Sequence, residues 1–171
     1  IKMAQSQYDN GRLHHREIQL ADSGYGQGQV LANPFIWLLM YTAFSNNGSM
    51  IQPYLIYKDN PSATVWIENA ISQENTSILT EDLNPSQQPG RLRLCGTPQR
   101  YGTRRKTGTA ELKSEQGTTG QEIGWFSVFT TDPNATKPVL LVSMVEHVED
   151  KGGSTYVVEK DDAVLDEYLG S

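Results

Sequence analysis

Lys106-Thr107-Gly108-Thr109-Ala110-Glu111-Leu112-Lys113 is the stretch in which a readable strand and a reactive-site pattern coincide. On an extended segment alternate side chains share a face, so Lys106 and Gly108 lie together. Gly108 has no side chain. A ligand can therefore lie close against the strand and bond its main-chain groups, with the Lys106 ammonium beside it. The combination suits a ligand that bears a carboxylate.

Downstream, Ile123-Gly124-Trp125-Phe126-Ser127-Val128-Phe129 and Val139-Leu140-Leu141-Val142-Ser143-Met144-Val145 read as two central strands joined across Asp132-Pro133-Asn134. Gln116 to Gly120 is a turn-rich link to the Lys106 strand, and the three strands form an antiparallel meander. Ala163 to Leu169 is expected as a short closing helix with Asp161 and Asp162 near its positive end. The acidic run from Glu146 to Glu167 reads as a solvated face.

Upstream, Glu17-Ile18-Gln19-Leu20 alternates polar and apolar residues and is expected as a short strand, followed by an irregular turn from Ser23 to Gly28. Asn33 is an N-cap and Pro34 suits the first helical position, so Phe35 to Phe44 should be helical. That segment is apolar almost all round, which predicts burial between layers. Asn46-Asn47-Gly48 stops it. Ile51 to Tyr57 and Ala63 to Trp66 are expected to pair as a small hairpin. Ser72 caps a further helix to Leu83, with Ile78, Leu79 and Leu83 on one side. The fold class is α+β, an antiparallel sheet flanked by helices.

The 171 residues fit one domain with a substantial core. A formal net charge of −6 disfavours general affinity for nucleic acid or an anionic membrane surface. The apolar stretch from Phe35 to Phe44 is far short of the ~20 residues a bilayer requires, and Ile1-Lys2-Met3-Ala4 has no signal-peptide organisation. One cysteine, Cys95, excludes an internal disulfide and a Cys-rich zinc site. His14 and His15 are adjacent and His147 stands alone, so no metal site is expected. Gly24-Tyr25-Gly26-Gln27-Gly28 does not fit a phosphate loop: Gly-Lys-Ser/Thr is missing and Asn33-Pro34 delays the helix.

The Lys-Thr-Gly tract, together with Leu20 to Gln29, Asn33-Pro34 and Asn46-Asn47-Gly48, resembles the class B penicillin-binding proteins. Within these it is most similar to the low-affinity, resistance-associated branch of Gram-positive cocci. The resemblance implies a serine transpeptidase that cross-links peptidoglycan stem peptides by acyl transfer and is acylated by β-lactams, without metal or organic cofactor. It assigns Lys106 electrostatics and proton ordering, Thr107 the ligand-binding hydroxyl, Gly108 an open strand surface, and the Thr109 N–H a place in the oxyanion hole. Tyr25 and Gln27 would line the same groove or form a structural turn.

The family's nucleophile lies in Ser-x-x-Lys, and no serine precedes any lysine of this chain by three residues. Ser45-Asn46-Asn47 matches Ser-x-Asn in form but falls on a helix stop. Residues 1–171 are therefore expected to be the C-terminal part of one transpeptidase domain, with both other motifs upstream. The full protein would act at the extracytoplasmic face of the bacterial membrane through an anchor outside this chain. The alternative is a non-catalytic module that binds cell-wall peptide along the Lys106 strand.

Residues 84 to 105 depart from the family. They hold five of the chain's seven arginines, its cysteine, three prolines and no acidic residue. A shifted reading frame restored at Lys106 explains this, with a genuine insertion as the rival. Arg104 and Arg105, entering an interior strand, would need partners that the nearby sequence lacks.

Overall fold

Apolar residues on both parities of 123–129 demand cover on both faces of that strand. The computed structural model describes residues 5–7, 17–28, 30–56, 59, 62–84, 102–112, 120–132 and 134–170. In chain order its elements are α1 (Glu17–Gly24), α2 (Pro34–Ser45), β1 (Met50–Ile51), β2 (Val65–Ile67), α3 (Gln73–Asp82), β3 (Thr103–Leu112), β4 (Gln121–Thr130), β5 (Leu140–Glu146) and α4 (Ser154–Gly170). β3, β4 and β5 form the expected antiparallel meander with β4 in the middle.

The two faces of β4 carry separate cores. Phe126 and Val128 pack against Val157, Val158 and Leu165 of α4. On the opposite face Phe129 meets Tyr41 and Phe44 of α2, with ring centroids 5.6 Å and 5.7 Å away. Each fully buried side chain of this size contributes about 1.5–3 kcal/mol. The result is three layers, α2 on the sheet and α4 beneath it.

The cap chemistry of α2 is as the sequence predicts: the Asn33 side chain accepts the Phe35 N–H and Pro34 opens the helix. At the other end the Gly48 N–H donates to the Ala43 carbonyl, with Asn47 at φ 50°. Leu39 and Ala43 form a second core with Met50, joined by Ile71, so the helix lies between the sheet and the β1–β2 ribbon. Its burial is incomplete. Trp37 and Met40, three residues apart, remain 37% and 43% exposed.

The ribbon is antiparallel as expected, but only two and three residues long, and all of β2 is exposed. α3 begins at its predicted cap, with Ser72 Oγ accepting the Asn75 N–H. Its apolar side is not its buried side: Ile78 and Leu79 are exposed and Thr76 is buried, its hydroxyl donating to the Ser72 carbonyl.

Three expectations are corrected. Glu17 to Leu20 is the start of helix α1, because four alternating residues are too few to separate a period of 2 from 3.6. The closing helix begins at Ser154, nine residues earlier than Ala163, so Asp161 and Asp162 sit mid-helix. The acidic run is accordingly not a uniformly solvated face, since Asp161 is only 7% exposed. The Gln116 to Gly120 link, Cys95, His14, His15 and most of the arginine-rich segment lie outside the described residues.

Candidate active site

β3 is the edge of its sheet among the described strands, not an interior strand. The Arg104 side chain finds its partners on α3, about two dozen residues upstream. Arg104 Nε donates to the Thr80 carbonyl at 2.9 Å and its Nη2 lies 3.8 Å from the Glu81 carboxylate. The Arg105 N–H donates to the Leu83 carbonyl at 3.2 Å, and its side chain is buried. Local sequence could not reveal these partners because they come from another element.

Strand parity fixes what β3 offers at its edge. In an antiparallel pair the N–H and C=O of one residue point the same way, toward the partner or away from it. The Arg105 N–H reaches Leu83, the Thr107 carbonyl accepts from Lys106 Nζ, and the Thr109 carbonyl accepts from Gln27 Nε2 at 3.3 Å. Odd-numbered residues thus turn their main-chain groups away from β4. The N–H groups of Thr107 and Thr109 point out of the open edge, two residues apart.

Lys106 and Gly108 share the face that α2 also covers, opposite Ser127 and Trp125. Lys106 is exposed, whereas Thr103 and Arg105 before it are buried, so the lysine stands where the strand emerges from the core. A Cβ on Gly108 would meet only the Trp125 Cβ at 3.7 Å, an ordinary contact. Packing among the described residues does not require glycine there. What the glycine preserves is open space over the strand.

The Tyr25–Gly28 turn follows α1 and approaches the same edge. Gln27 is brought to Thr109, but Tyr25 is 70% exposed and its hydroxyl donates to Asp22 Oδ1 at 2.8 Å. That hydrogen bond to Asp22, with smaller contributions from desolvation and the charges of Asp22 and Glu111, holds the Tyr25 pKa above the usual phenol value. Tyr25 therefore serves as a neutral group.

The residues missed by sequence reasoning lie behind the strand. Thr109 Oγ1 accepts the Ser154 N–H at 3.2 Å, satisfying one of the orphan donors that open α4. Gly152-Gly153-Ser154 is a legible helix start, but its contact with Thr109 spans 45 residues.

Ser45 and Asn46 are engaged at the end of α2. Ser45 Oγ donates to the Thr130 carbonyl at 3.2 Å and Asn46 Nδ2 to the Thr42 carbonyl at 2.6 Å. Among the described residues no cluster of His, Cys, Asp and Glu could hold a metal ion, and no helix is long and apolar enough to cross a membrane.

The family described as penicillin binding protein transpeptidase domain matches residues 2–164. Penicillin-binding protein 3 of Bacillus subtilis is 38% identical over 155 residues, covering 84% of this chain and 21% of that protein. The apo transpeptidase domain of Burkholderia pseudomallei penicillin-binding protein 3 shares the fold, with a TM-score of 0.69 and 18% identity over 98% of this chain and 52% of that one. The chain thus spans about a fifth of the first relative and about half of the second. With more than half its length matched, it belongs to the penicillin-binding protein transpeptidase domain family.

Proposed function

We propose that the protein containing this chain is a D-alanyl-D-alanine transpeptidase that cross-links peptidoglycan stem peptides through a serine ester and is acylated by β-lactams. Residues 1–171 are the C-terminal part of its transpeptidase domain. The observation that carries this reading is the edge position of Lys106–Thr109, with two outward main-chain N–H groups, a cation beside them and open space over Gly108. Lys106 attracts the substrate carboxylate and orders proton transfer, Thr107 binds that carboxylate, and the Thr109 N–H stabilises the oxyanion. Tyr25 and Gln27 border the groove.

Incubation of the full-length protein with a labelled penicillin, followed by intact-mass analysis, tests the reading. One covalent adduct on a serine outside residues 1–171 is expected. Absence of an adduct from a protein whose upstream region carries Ser-x-x-Lys overturns it. A second reading, a non-catalytic module holding cell-wall peptide along β3, is favoured by one observation, the lack of Ser-x-x-Lys in this chain. It predicts reversible peptide binding and no adduct.

Within the family, the tract Leu20 to Gln29 and the Asn33-Pro34 and Asn46-Asn47-Gly48 signals support the class B, low-affinity branch associated with resistance in Gram-positive cocci. Slow acylation at saturating penicillin is its signature. The site of action is the extracytoplasmic face of the membrane. For residues 84–105 a frame slip is the better reading of the arginine-rich composition, and sequencing the source DNA across this region separates it from an insertion.

A further inference from the structure

Thr109 carries three polar groups, and two of them are committed. Its carbonyl accepts from Gln27 Nε2 at the front of the strand, and its hydroxyl accepts the Ser154 N–H behind it. Among the described residues only the N–H remains, directed out of the edge.

The rear contact depends on two missing side chains. Gly124 is the cross-strand partner of Thr109, and a Cβ there would stand 2.7 Å from Val157 Cγ2, 3.2 Å from the Gly153 carbonyl oxygen and 3.3 Å from the Ser154 Cα. Gly153 has φ +63°, and a Cβ on it would stand 3.1 Å from Thr109 Oγ1. The tip of α4 is thus pressed onto the β3–β4 pair at the rung that holds Thr109.

We propose that Gln27 and the Gly153-Ser154 turn are positioning residues that clamp Thr109 from front and back and fix the direction of its N–H. The inference rests on the reading of that N–H as an oxyanion donor. A donor of this kind acts only if its direction is set before the negative charge develops, and displacement by about 1 Å can cost on the order of a hundredfold in rate. Gln27, at the border of the groove, then acts through Thr109.

The test is stopped-flow acylation of the full-length protein by a chromogenic β-lactam, with the acylation rate constant k2 separated from the dissociation constant Kd. Thr109→Val removes the hydroxyl acceptor but keeps a β-branched strand residue; Thr109→Ser keeps the acceptor. Gln27→Leu removes the front donor. We expect k2 to fall about tenfold or more in Thr109→Val and Gln27→Leu, with Kd within about twofold, and Thr109→Ser to recover most of the loss seen in Thr109→Val. Wild-type k2 in either Thr109→Val or Gln27→Leu overturns the clamp, as does a loss carried by Kd. If Thr109→Val melts below the assay temperature, Gln27→Leu decides alone, since its position lies on a turn outside the sheet. A wild-type protein that is not acylated at all overturns the proposed function instead.

Discussion

Tyr41 of α2 and Phe129 of β4 stand with ring centroids 5.6 Å apart and planes inclined at 52°, and this pair seats the upper helix on the sheet. Phe129 is 1% exposed and also stacks on Phe44, so Phe129→Ala is expected to cost about 3–5 kcal/mol. Tyr41→Phe keeps the ring but removes a hydroxyl whose pKa burial holds above the usual phenol value, with Ser127 and Trp37 acting in the opposite direction. Its expected cost is about 1 kcal/mol. Thermal unfolding measures both, and equal losses would contradict the packing described.

Gly124 and Gly108 stand on one strand pair but answer to different demands. Gly124→Ala drives a methyl into Val157 and the backbone at Gly153 and should destabilise by about 1–3 kcal/mol. Gly108→Ala meets nothing closer than 3.7 Å, so stability should change by less than about 0.5 kcal/mol. β-lactam acylation should nevertheless fall, because the methyl occupies the space over the strand. A large drop in Tm for Gly108→Ala would show that packing fixes that glycine.

Asp161 predicts an inverted pH dependence. Burial pushes its carboxyl above the ordinary carboxylate value; a hydrogen bond with Ser143 acts in the opposite direction, and the charge of Asp162 adds to the rise. Among the described residues its Oδ2 is buried without a hydrogen-bond partner. The folded chain therefore holds this proton more tightly than the unfolded chain, whose value is about 3.9. Above that value stability declines with rising pH until the folded group has ionised, and below it the cost is absent. Asp161→Asn should raise Tm at pH 7 and flatten the slope above about pH 4; a lower Tm at pH 7 would falsify this account.

Arg104 separates a hydrogen bond from an ion pair. Its bond to the Thr80 carbonyl is short and only 19% of its side chain is exposed, whereas Glu81 is 58% exposed at 3.8 Å. Arg104→Ala should cost about 1–2 kcal/mol, and Glu81→Gln under about 0.5 kcal/mol. Raising the salt concentration should leave the Arg104→Ala difference nearly unchanged. A strong salt dependence would make the ion pair the dominant contact.

Glu149 behaves in the ordinary sense. Its carboxylate accepts the Glu122 N–H at 3.0 Å, which lowers its pKa, with the nearby His147 assisting. Its contribution is present above the usual glutamate value and is lost as the pH falls through the lowered one. Glu149→Gln should match the wild type at acid pH, lower Tm slightly at neutral pH and flatten that segment of the acid-unfolding profile; an unchanged profile would contradict the assignment.

The elements legible in sequence are those whose signals are local. Asn33-Pro34 fixed the start of α2 and the apolar runs fixed β4 and β5, because a cap and a two-sided buried strand are each written in consecutive residues. Lys106 to Thr109 announced the strand β3, and the chemistry proposed for them rests on the same residues. What escaped was relational: α1 was too short to show its period, and α4 carried Asp161 and Asp162 where charges suggest solvent. The support of Thr109 by Ser154 escaped for a different reason, since nothing in either residue's neighbourhood names the other.

That last relationship gives the motif a history on the ribosome. β3 is made before α4, and 45 residues separate Thr109 from the Ser154 that supports its hydroxyl. At typical elongation rates the strand waits roughly 2 to 9 seconds for that partner to be synthesised. A nascent chain halted in that interval would display the complete Lys-Thr-Gly tract and still lack the helix behind it. Readiness of the site is then set by the arrival of its last helix, not by completion of its signature residues.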